Sequence, residues 1–238
     1  MTVIEVSGLQ KRYGEQLAVA DVSFDVQEGE IFGVLGPNGA GKTTTVECIE
    51  GLRVPDAGTI RVLGLDPQHD VLALRRVLGV QLQDSKLPER MTVAEAVTLY
   101  SSFYEHPADG DVLLERLGLV RQRGTRFGAL SGGQQQRLAI VLALIGRPRI
   151  AVLDELTTGL DPQSRRNTWE LVEQIRDDGV TVVLVTHFME EAERLCDRLA
   201  LIDAGKVVAI DTPAGLVERV RAPGAVVVIV SVIGTPPP

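Results

Sequence analysis

A glycine-rich segment near the start of the chain has the residue types and spacing of a phosphate site. Four residues separate Gly36 from Gly41, and Lys42 and Thr43 follow directly. In this pattern the glycines let the backbone turn so that its N–H groups surround phosphate oxygens. The lysine places a positive charge near the β- and γ-phosphates, and the threonine hydroxyl is a ligand for Mg²⁺. The segment therefore predicts a P-loop that binds a nucleotide together with Mg²⁺.

The sequence on either side of this segment agrees with that prediction. Residues 31–35 are apolar and strand-like, and residues 43–52 have a helical pattern, which is the context that a P-loop requires. The P-loop by itself leaves kinases, GTPases, helicases and ATPases open. The residues assigned to the phosphate cradle are Gly36, Pro37, Asn38, Gly39, Ala40, Gly41, Lys42, Thr43 and Thr44.

A second segment with two glycines opens another helix. It runs Leu130-Ser131-Gly132-Gly133-Gln134. Ser131 and Gln134 have the spacing of a capping box, so helix capping is one explanation of the pattern. A cap needs no glycine, however. Glycines allow close backbone approach, and the N–H groups of a helix N-terminus then form a second surface for phosphate.

Acidic and imidazole side chains follow two later apolar runs. Asp154 and Glu155 come after residues 150–153, and His187 comes after residues 180–185. Asp161 precedes Pro162, and this order is typical of a helix with aspartate at the N-cap and proline at its first position. In this order the P-loop, the Ser-Gly-Gly segment and these residues resemble the motifs of the ATP-binding cassette (ABC) family. The resemblance covers residues 1 to about 215.

The resemblance implies a role for each of these side chains. Asp154 would hold Mg²⁺ through water, Glu155 would polarise the attacking water, and His187 would contact the γ-phosphate. Asp161 would contact the opposite subunit, although its alternative role as a helix cap stays open. Leu156 is a departure from the family, which usually has proline after the glutamate.

Two further positions match the family less specifically. Gln83 resembles the glutamine that touches Mg²⁺ or the water, with Gln81 as a competing candidate. Tyr13 matches the aromatic residue that stacks on adenine, and a plain surface tyrosine is the alternative.

Composition limits the partners that the protein can have. The net charge of −8 and the absence of a basic stripe argue against nucleic acid. Cys48 and Cys196 lie far apart with no second cysteine or histidine at ligand spacing, so no structural metal is expected. We expect no signal peptide, and the apolar runs 138–145 and 225–230 are too short to span a bilayer. The family resemblance therefore implies a separate transmembrane permease subunit, with this chain cytoplasmic and peripheral on the inner face of the membrane.

The order of apolar segments predicts an α/β fold. We expect a P-loop NTPase with a RecA-like core sheet, an antiparallel β subdomain and an inserted helical lobe. Residues 1–221 would form the cassette, with the helical lobe at about 84–147. The sequence changes to a helical character over residues 70–145. Residues 222–238 would form a tail with an extra strand and a disordered, proline-rich end.

The resemblance implies an ATPase that works as a dimer. Two chains would hold two ATP molecules, each between the P-loop of one chain and Ser131, Gly132, Gly133 and Gln134 of the other, and a homodimer is expected. Segments 51–60 and 81–93 look most like stand-alone ATPase subunits of multidrug or daunorubicin-type exporters, so the cargo would be a drug or lipid-like molecule. The alternatives are a soluble ABC ATPase acting on ribosomes or nucleic acid, or the ATPase of an ABC importer.

Overall fold

A computed structural model describes the chain at residues 1–81 and 87–221. The chain divides into two compact units, one from Met1 to Leu74 and again from Val183 onwards, and one from Arg75 to Val182. No helix in the part of the chain that the structure describes is long and apolar enough to cross a membrane.

In its described residues, the first unit contains a mixed sheet, three helices and most of a fourth. Its strands are β1 (Thr2–Tyr13), β2 (Gln16–Gln27), β3 (Ile31–Leu35), β4 (Ala57–Val62), β8 (Arg198–Asp203) and β9 (Lys206–Asp211), and its helices are α1 (Lys42–Ile49), α7 (Met189–Leu195), α8 (Pro213–Arg221) and most of α2 (Val71–Val77). The strand order in this unit is β4-β1-β2-β9-β8-β3. Strand β7 (Thr181–Thr186) begins in the second unit and ends in the first.

Antiparallel and parallel pairing occur in different parts of this sheet. Strand β1 pairs antiparallel with both β2 and β4, which is the predicted antiparallel subdomain. Strand β3 pairs parallel with β8, and every residue of β3 is buried, as expected where both faces are covered. In the sequence, Ala204 and Gly205 stand between two apolar runs, which predicts a hairpin turn. This prediction is confirmed, because both residues have positive φ and they connect β8 to the antiparallel β9.

The second unit is mainly helical around a short parallel pair. Its elements are β5 (Leu78–Gln81), α3 (Val93–Ser101), α4 (Gly110–Arg116), α5 (Gly132–Leu144), β6 (Ile150–Asp154) and α6 (Pro162–Asp177), with 3-10 turns at Val120–Gln122 and Phe127–Ala129. In the sequence, Thr92 and Glu95 have the spacing of a capping box, and the structure confirms this box at the start of α3. Helix α6 buries Thr168, Trp169, Val172 and Ile175, which share one face at helical spacing.

Strand β5 corrects the prediction of a helical character over residues 70–145. Residues 78–81 pair in parallel with β6, with Leu78 opposite Ile150 and Gln81 opposite Leu153. A run of four residues is too short for its periodicity to distinguish a buried strand from a helix. The predicted lobe boundaries, about 84–147, begin among residues outside the described part of the chain and stay a prediction, as does the tail at 222–238.

The core of α5 offers a test of packing in the second unit. Leu138 is fully buried, whereas Leu72 is 77% exposed. We expect Leu138→Ala to lower the free energy of unfolding by about 2–5 kcal/mol, because it removes buried methyl groups and leaves a cavity. Leu72→Ala is the matched control and should change it by less than about 0.5 kcal/mol. Urea titration followed by circular dichroism measures both, and equal losses would show that α5 is not packed as described.

Candidate functional site

The predicted phosphate loop connects β3 to α1 and is held close to its neighbours. A Cβ atom on Gly36 would lie 2.1 Å from the carbonyl oxygen of Ile202, and one on Gly41 would lie 2.4 Å from the carbonyl oxygen of Ala18. Gly41 also has a φ of 99° and precedes the first residue of α1. A side chain at either position would require the backbone to move, because its Cβ would overlap a carbonyl oxygen. At Gly41 the left-handed φ favours glycine as well.

Lys42 lies over the loop that precedes it. The side chain is buried, and its Nζ donates hydrogen bonds to the carbonyl oxygens of Gly36 at 2.9 Å and Pro37 at 3.0 Å. A buried ammonium requires such acceptors. Thr43 is exposed on the first turn of α1. The loop therefore presents a cation, a hydroxyl and the N-terminus of a helix together, an arrangement suited to a polyphosphate.

The turn between β8 and β9 is hydrogen-bonded to the phosphate loop. The N–H of Gly205 donates to the carbonyl oxygen of Ala40 at 3.0 Å, and the N–H of Ala20 donates to the carbonyl oxygen of Gly205 at 2.7 Å. Two other stretches of the first unit, residues 18–20 and 202–205, thus meet at the phosphate loop, so its shape depends on the folded unit as well as on its glycines.

His187 and Tyr13 are the other predicted site residues in the first unit. His187 is partly exposed after the end of β7, and its ring centroid lies 3.9 Å from that of Phe188. Tyr13 ends β1 and is 41% exposed. Lys11 Nζ lies 5.6 Å and the Arg53 guanidinium 5.9 Å from its ring centroid, within the range of cation–π contacts.

Asp154 ends a strand in which every residue is buried. Its backbone N–H donates to Oε1 of Gln81 at 3.1 Å. Because Gln81 is the last residue of β5 and pairs with Leu153, its side chain extends the hydrogen-bond ladder by one bond. Gln81 is therefore a structural partner of Asp154, while Gln83, the preferred candidate for the predicted glutamine, lies outside the described residues.

Glu155 has a backbone conformation that is uncommon for its residue type. Its φ is 48°, in the left-handed region that costs a residue with a side chain about 1–2 kcal/mol. The N–H of Thr158 donates to the Glu155 carbonyl oxygen at 3.2 Å, and the Thr158 hydroxyl donates to Oε2 of Glu155 at 3.4 Å. Such outliers persist where surrounding contacts enforce them, and they concentrate at functional sites.

Ser131 caps α5 in the predicted capping box. Its hydroxyl accepts from the N–H of Gln134 at 3.3 Å, and its own N–H donates to Oε1 of Gln134 at 2.9 Å. Ser131 and Gly132 are exposed. A Cβ atom on Gly133 would lie 3.2 Å from the Ser164 hydroxyl, so this glycine also allows close packing against α6. The capping explanation is confirmed, and the exposed helix N-terminus leaves room for a phosphate as well.

Asp161 is likewise a helix cap. One of its carboxylate oxygens accepts from the N–H groups of Gln163 and Ser164, both at 3.0 Å, and the other accepts from the Ser164 hydroxyl at 2.6 Å. The Ser164 hydroxyl is the main reason that the pKa of the Asp161 carboxyl lies below its usual value. These bonds confirm the N-cap, and the predicted contact of Asp161 with a second subunit stays a prediction.

The two units thus hold different parts of the predicted constellation. The phosphate loop, Tyr13 and His187 belong to the first, and the Ser131 segment, the Asp154–Glu155 pair and Asp161 belong to the second. Among residues 1–81 and 87–221, no group of three or more His, Cys, Asp or Glu could hold a metal ion. Sequence reasoning gave no role to Gln136, whose amide hydrogen-bonds the carbonyl oxygen of Leu156, and no local pattern signals such a contact across 20 residues.

Comparison with known proteins identifies close relatives. A protein-family model described as "ABC transporter" matches residues 19–158. The "Nod factor export ATP-binding protein I" of Ralstonia nicotianae is 44% identical over 223 residues, which are 91% of this chain and 69% of that protein. The protein of the same name from Burkholderia orbicola is 42% identical over 90% of this chain and 72% of its own length.

Solved structures of similar proteins share the fold. The structure of an "ATP binding subunit of ABC transporter" has a TM-score of 0.83 and 28% identity, covering 97% of this chain and 99% of that one. A dimeric ATP-binding cassette in a post-hydrolysis state bound to ADP and Pi has a TM-score of 0.77 and 28% identity, covering 88% and 98%. The expected α/β P-loop NTPase fold is confirmed by these likenesses together with the mixed sheet.

The phosphate loop leads to a prediction about a single added methyl group. We expect Gly36→Ala to abolish measurable binding of a fluorescent ATP analogue, because its Cβ would overlap the carbonyl oxygen of Ile202 and displace the loop. Gly124→Ala is the matched control, since nothing lies within 4 Å of its added Cβ, and it should bind with unchanged affinity. Fluorescence titration measures both, and tight binding by Gly36→Ala would contradict the assignment.

Proposed function

The chain belongs to the ABC transporter family of ATP-binding proteins, and from this premise we propose that two copies close on two ATP molecules and drive export through a separate transmembrane subunit. The resemblance noted in the sequence is confirmed by the family match and by relatives of 44% and 42% identity. The activity of the chain is ATP hydrolysis coupled to transport. The residue roles, the dimer and the cargo described below are proposals.

The observation that carries the proposal is the phosphate loop. Two glycines hold its backbone against the carbonyl oxygens of Ile202 and Ala18, and Lys42 lies buried beside it. The loop N–H groups and the Thr44 backbone would hold the phosphates, Lys42 would exchange its two carbonyl partners for phosphate oxygens, and Tyr13 would stack on adenine.

The acidic residues at the end of β6 suit the hydrolytic step. Mg²⁺, when bound, neutralises phosphate charge, and Thr43, Asp154 and Gln83 would hold it, since hydroxyl, carboxylate and amide oxygens are the donors that it prefers. Glu155 would orient the attacking water and accept its proton. The water oxygen bonds to the γ-phosphorus while the bond to the bridging oxygen of the β-phosphate breaks, and ADP leaves with that electron pair.

The remaining residues would stabilise charge that develops on the γ-phosphate. His187 would donate to it from the same chain, and Ser131 with the N–H groups at Gly132, Gly133 and Gln134 would approach from the second chain. Asp161 would contact that second chain. A similar cassette of known structure is described as dimeric, which supports a homodimer in which both sites are complete.

The relatives support a proposal for the direction of transport and for the location of the protein. The similar proteins from Ralstonia nicotianae and Burkholderia orbicola are named for export, which favours an exporter over an importer and over an ATPase that acts on ribosomes or nucleic acid. A structural neighbour at 25% identity is described as part of the ABC transporter complex cbiONQ. We therefore propose a peripheral position on the inner face of the membrane, beside a permease that exports a drug or lipid-like molecule.

Removal of the proposed catalytic carboxylate tests the mechanism. We expect Glu155→Gln to lower ATP turnover by about 100-fold or more, because the amide does not accept the proton of the water. The same variant should elute as a dimer in Mg-ATP during size-exclusion chromatography, since bound ATP is retained. Glu170→Gln, on the exposed face of α6, is the control and should turn over normally. Unchanged turnover in Glu155→Gln would refute the assigned role.

The proposed partner is tested by affinity purification of the tagged chain from detergent-solubilised membranes. We expect a protein with several transmembrane helices to co-purify and to raise the ATPase rate when it is added back. Ribosomes or nucleic acid recovered in its place would contradict the transport proposal and favour the soluble alternative.

A further inference from the structure

The first turns of α5 pack against the loop that carries Glu155. A Cβ atom on Gly132 would meet Leu160 at 3.8 Å, and one on Gly133 would meet Ser164 at 3.2 Å. Leu160 lies in the segment between β6 and α6, and Ser164 lies in the first turn of α6. Both glycines belong to α5, so this helix lies alongside the catalytic loop from its first residue.

Gln136, one turn further along α5, forms a direct link to that loop. Its side-chain amide donates to the carbonyl oxygen of Leu156 at 2.7 Å, across 20 residues of sequence. The Leu156 side chain is fully buried. The residue immediately after Glu155 is therefore held at two points, by packing of its side chain and by a short hydrogen bond to its backbone.

The backbone at Glu155 needs such restraint. Its φ of 48° is sparsely populated for a residue with a side chain and persists only where neighbouring contacts enforce it. A proline at position 156 would fix its own φ through its ring, and leucine has no such covalent restraint. Contacts with other parts of the unit must then hold the turn, and Gln136 supplies one of them.

We infer that Gln136 is a positioning residue for Glu155: by holding the Leu156 carbonyl it keeps the turn closed and the Glu155 carboxylate aimed at the water. The inference rests on the catalytic role of Glu155 in the proposed function. The hydrogen bond of Gln136 goes to the Leu156 backbone and not to a residue of the phosphate loop, and its amide is neutral. Its loss should slow the hydrolytic step and leave the affinity for ATP unaltered.

Gln136→Met tests this, because methionine has nearly the same length and donates no hydrogen bond. We expect kcat to fall roughly tenfold, as a small displacement of a catalytic group would cause, with KM for Mg-ATP within about twofold of wild type. Gln174→Met, the same change at an exposed position of α6, should leave both constants unchanged. If Gln136→Met does not fold, Gln136→Leu replaces it, since leucine is also uncharged and donates no hydrogen bond.

A double-mutant cycle with Glu155→Gln distinguishes positioning from a general structural effect. In single-turnover hydrolysis of radiolabelled ATP, Gln136→Met should slow the Glu155→Gln protein no further, because the group that it positions has already been replaced. If the rate reductions of the two single variants multiply in the double variant, this inference is wrong and the proposed function stands. The same holds if Gln136→Met has a normal kcat while Glu155→Gln is slow. Normal turnover in Glu155→Gln would overturn the proposed function, and the inference with it.

Discussion

The close approach of backbone to backbone around the phosphate loop is the constraint on which the first unit depends. Gly36 lies so close to the carbonyl oxygen of Ile202 that a Cβ atom would not fit between them, and Gly41 lies similarly close to the carbonyl oxygen of Ala18. These contacts tie the loop to β8 and β2, while the turn at Gly205 holds the carbonyl of Ala40. A loop packed this tightly keeps its N–H groups in place before a ligand arrives, so less ordering is required when phosphate binds.

In the second unit a single helix combines two tasks. The N-terminus of α5 carries the exposed Ser131 and Gly132, which by family resemblance would face a nucleotide on another chain. The next turn of the same helix holds the loop that carries Glu155, through the bond from Gln136 to Leu156. Because a helix is stiff over this length, a shift at its N-terminus would move the loop that carries Glu155 as well.

Predictions that depend on neighbouring residues agree with the structure. The capping boxes at Thr92 and Ser131 and the hairpin turn at Ala204 and Gly205 are all confirmed, because each involves hydrogen bonds or dihedral preferences within a few residues. The prediction for residues 78–81 was wrong, since the strand there is defined by pairing with β6, some 70 residues away. The hydrogen bond from the Asp154 N–H to the Gln81 side chain joins residues that are 73 positions apart, so no local pattern predicts it either.

The sequence by itself determined the family, the order of the motifs and the residue types that the chemistry requires. Few other functions need this combination of glycines, a lysine, a threonine and carboxylates at fixed spacing. It also identified Leu156 as a departure from the family. Tertiary structure alone decided how these residues are held: the carbonyls that exclude a Cβ at Gly36 and Gly41, the amide that holds Leu156, and the left-handed backbone of Glu155. The reason is physical, because contacts between residues distant in sequence depend on packing that no short segment encodes.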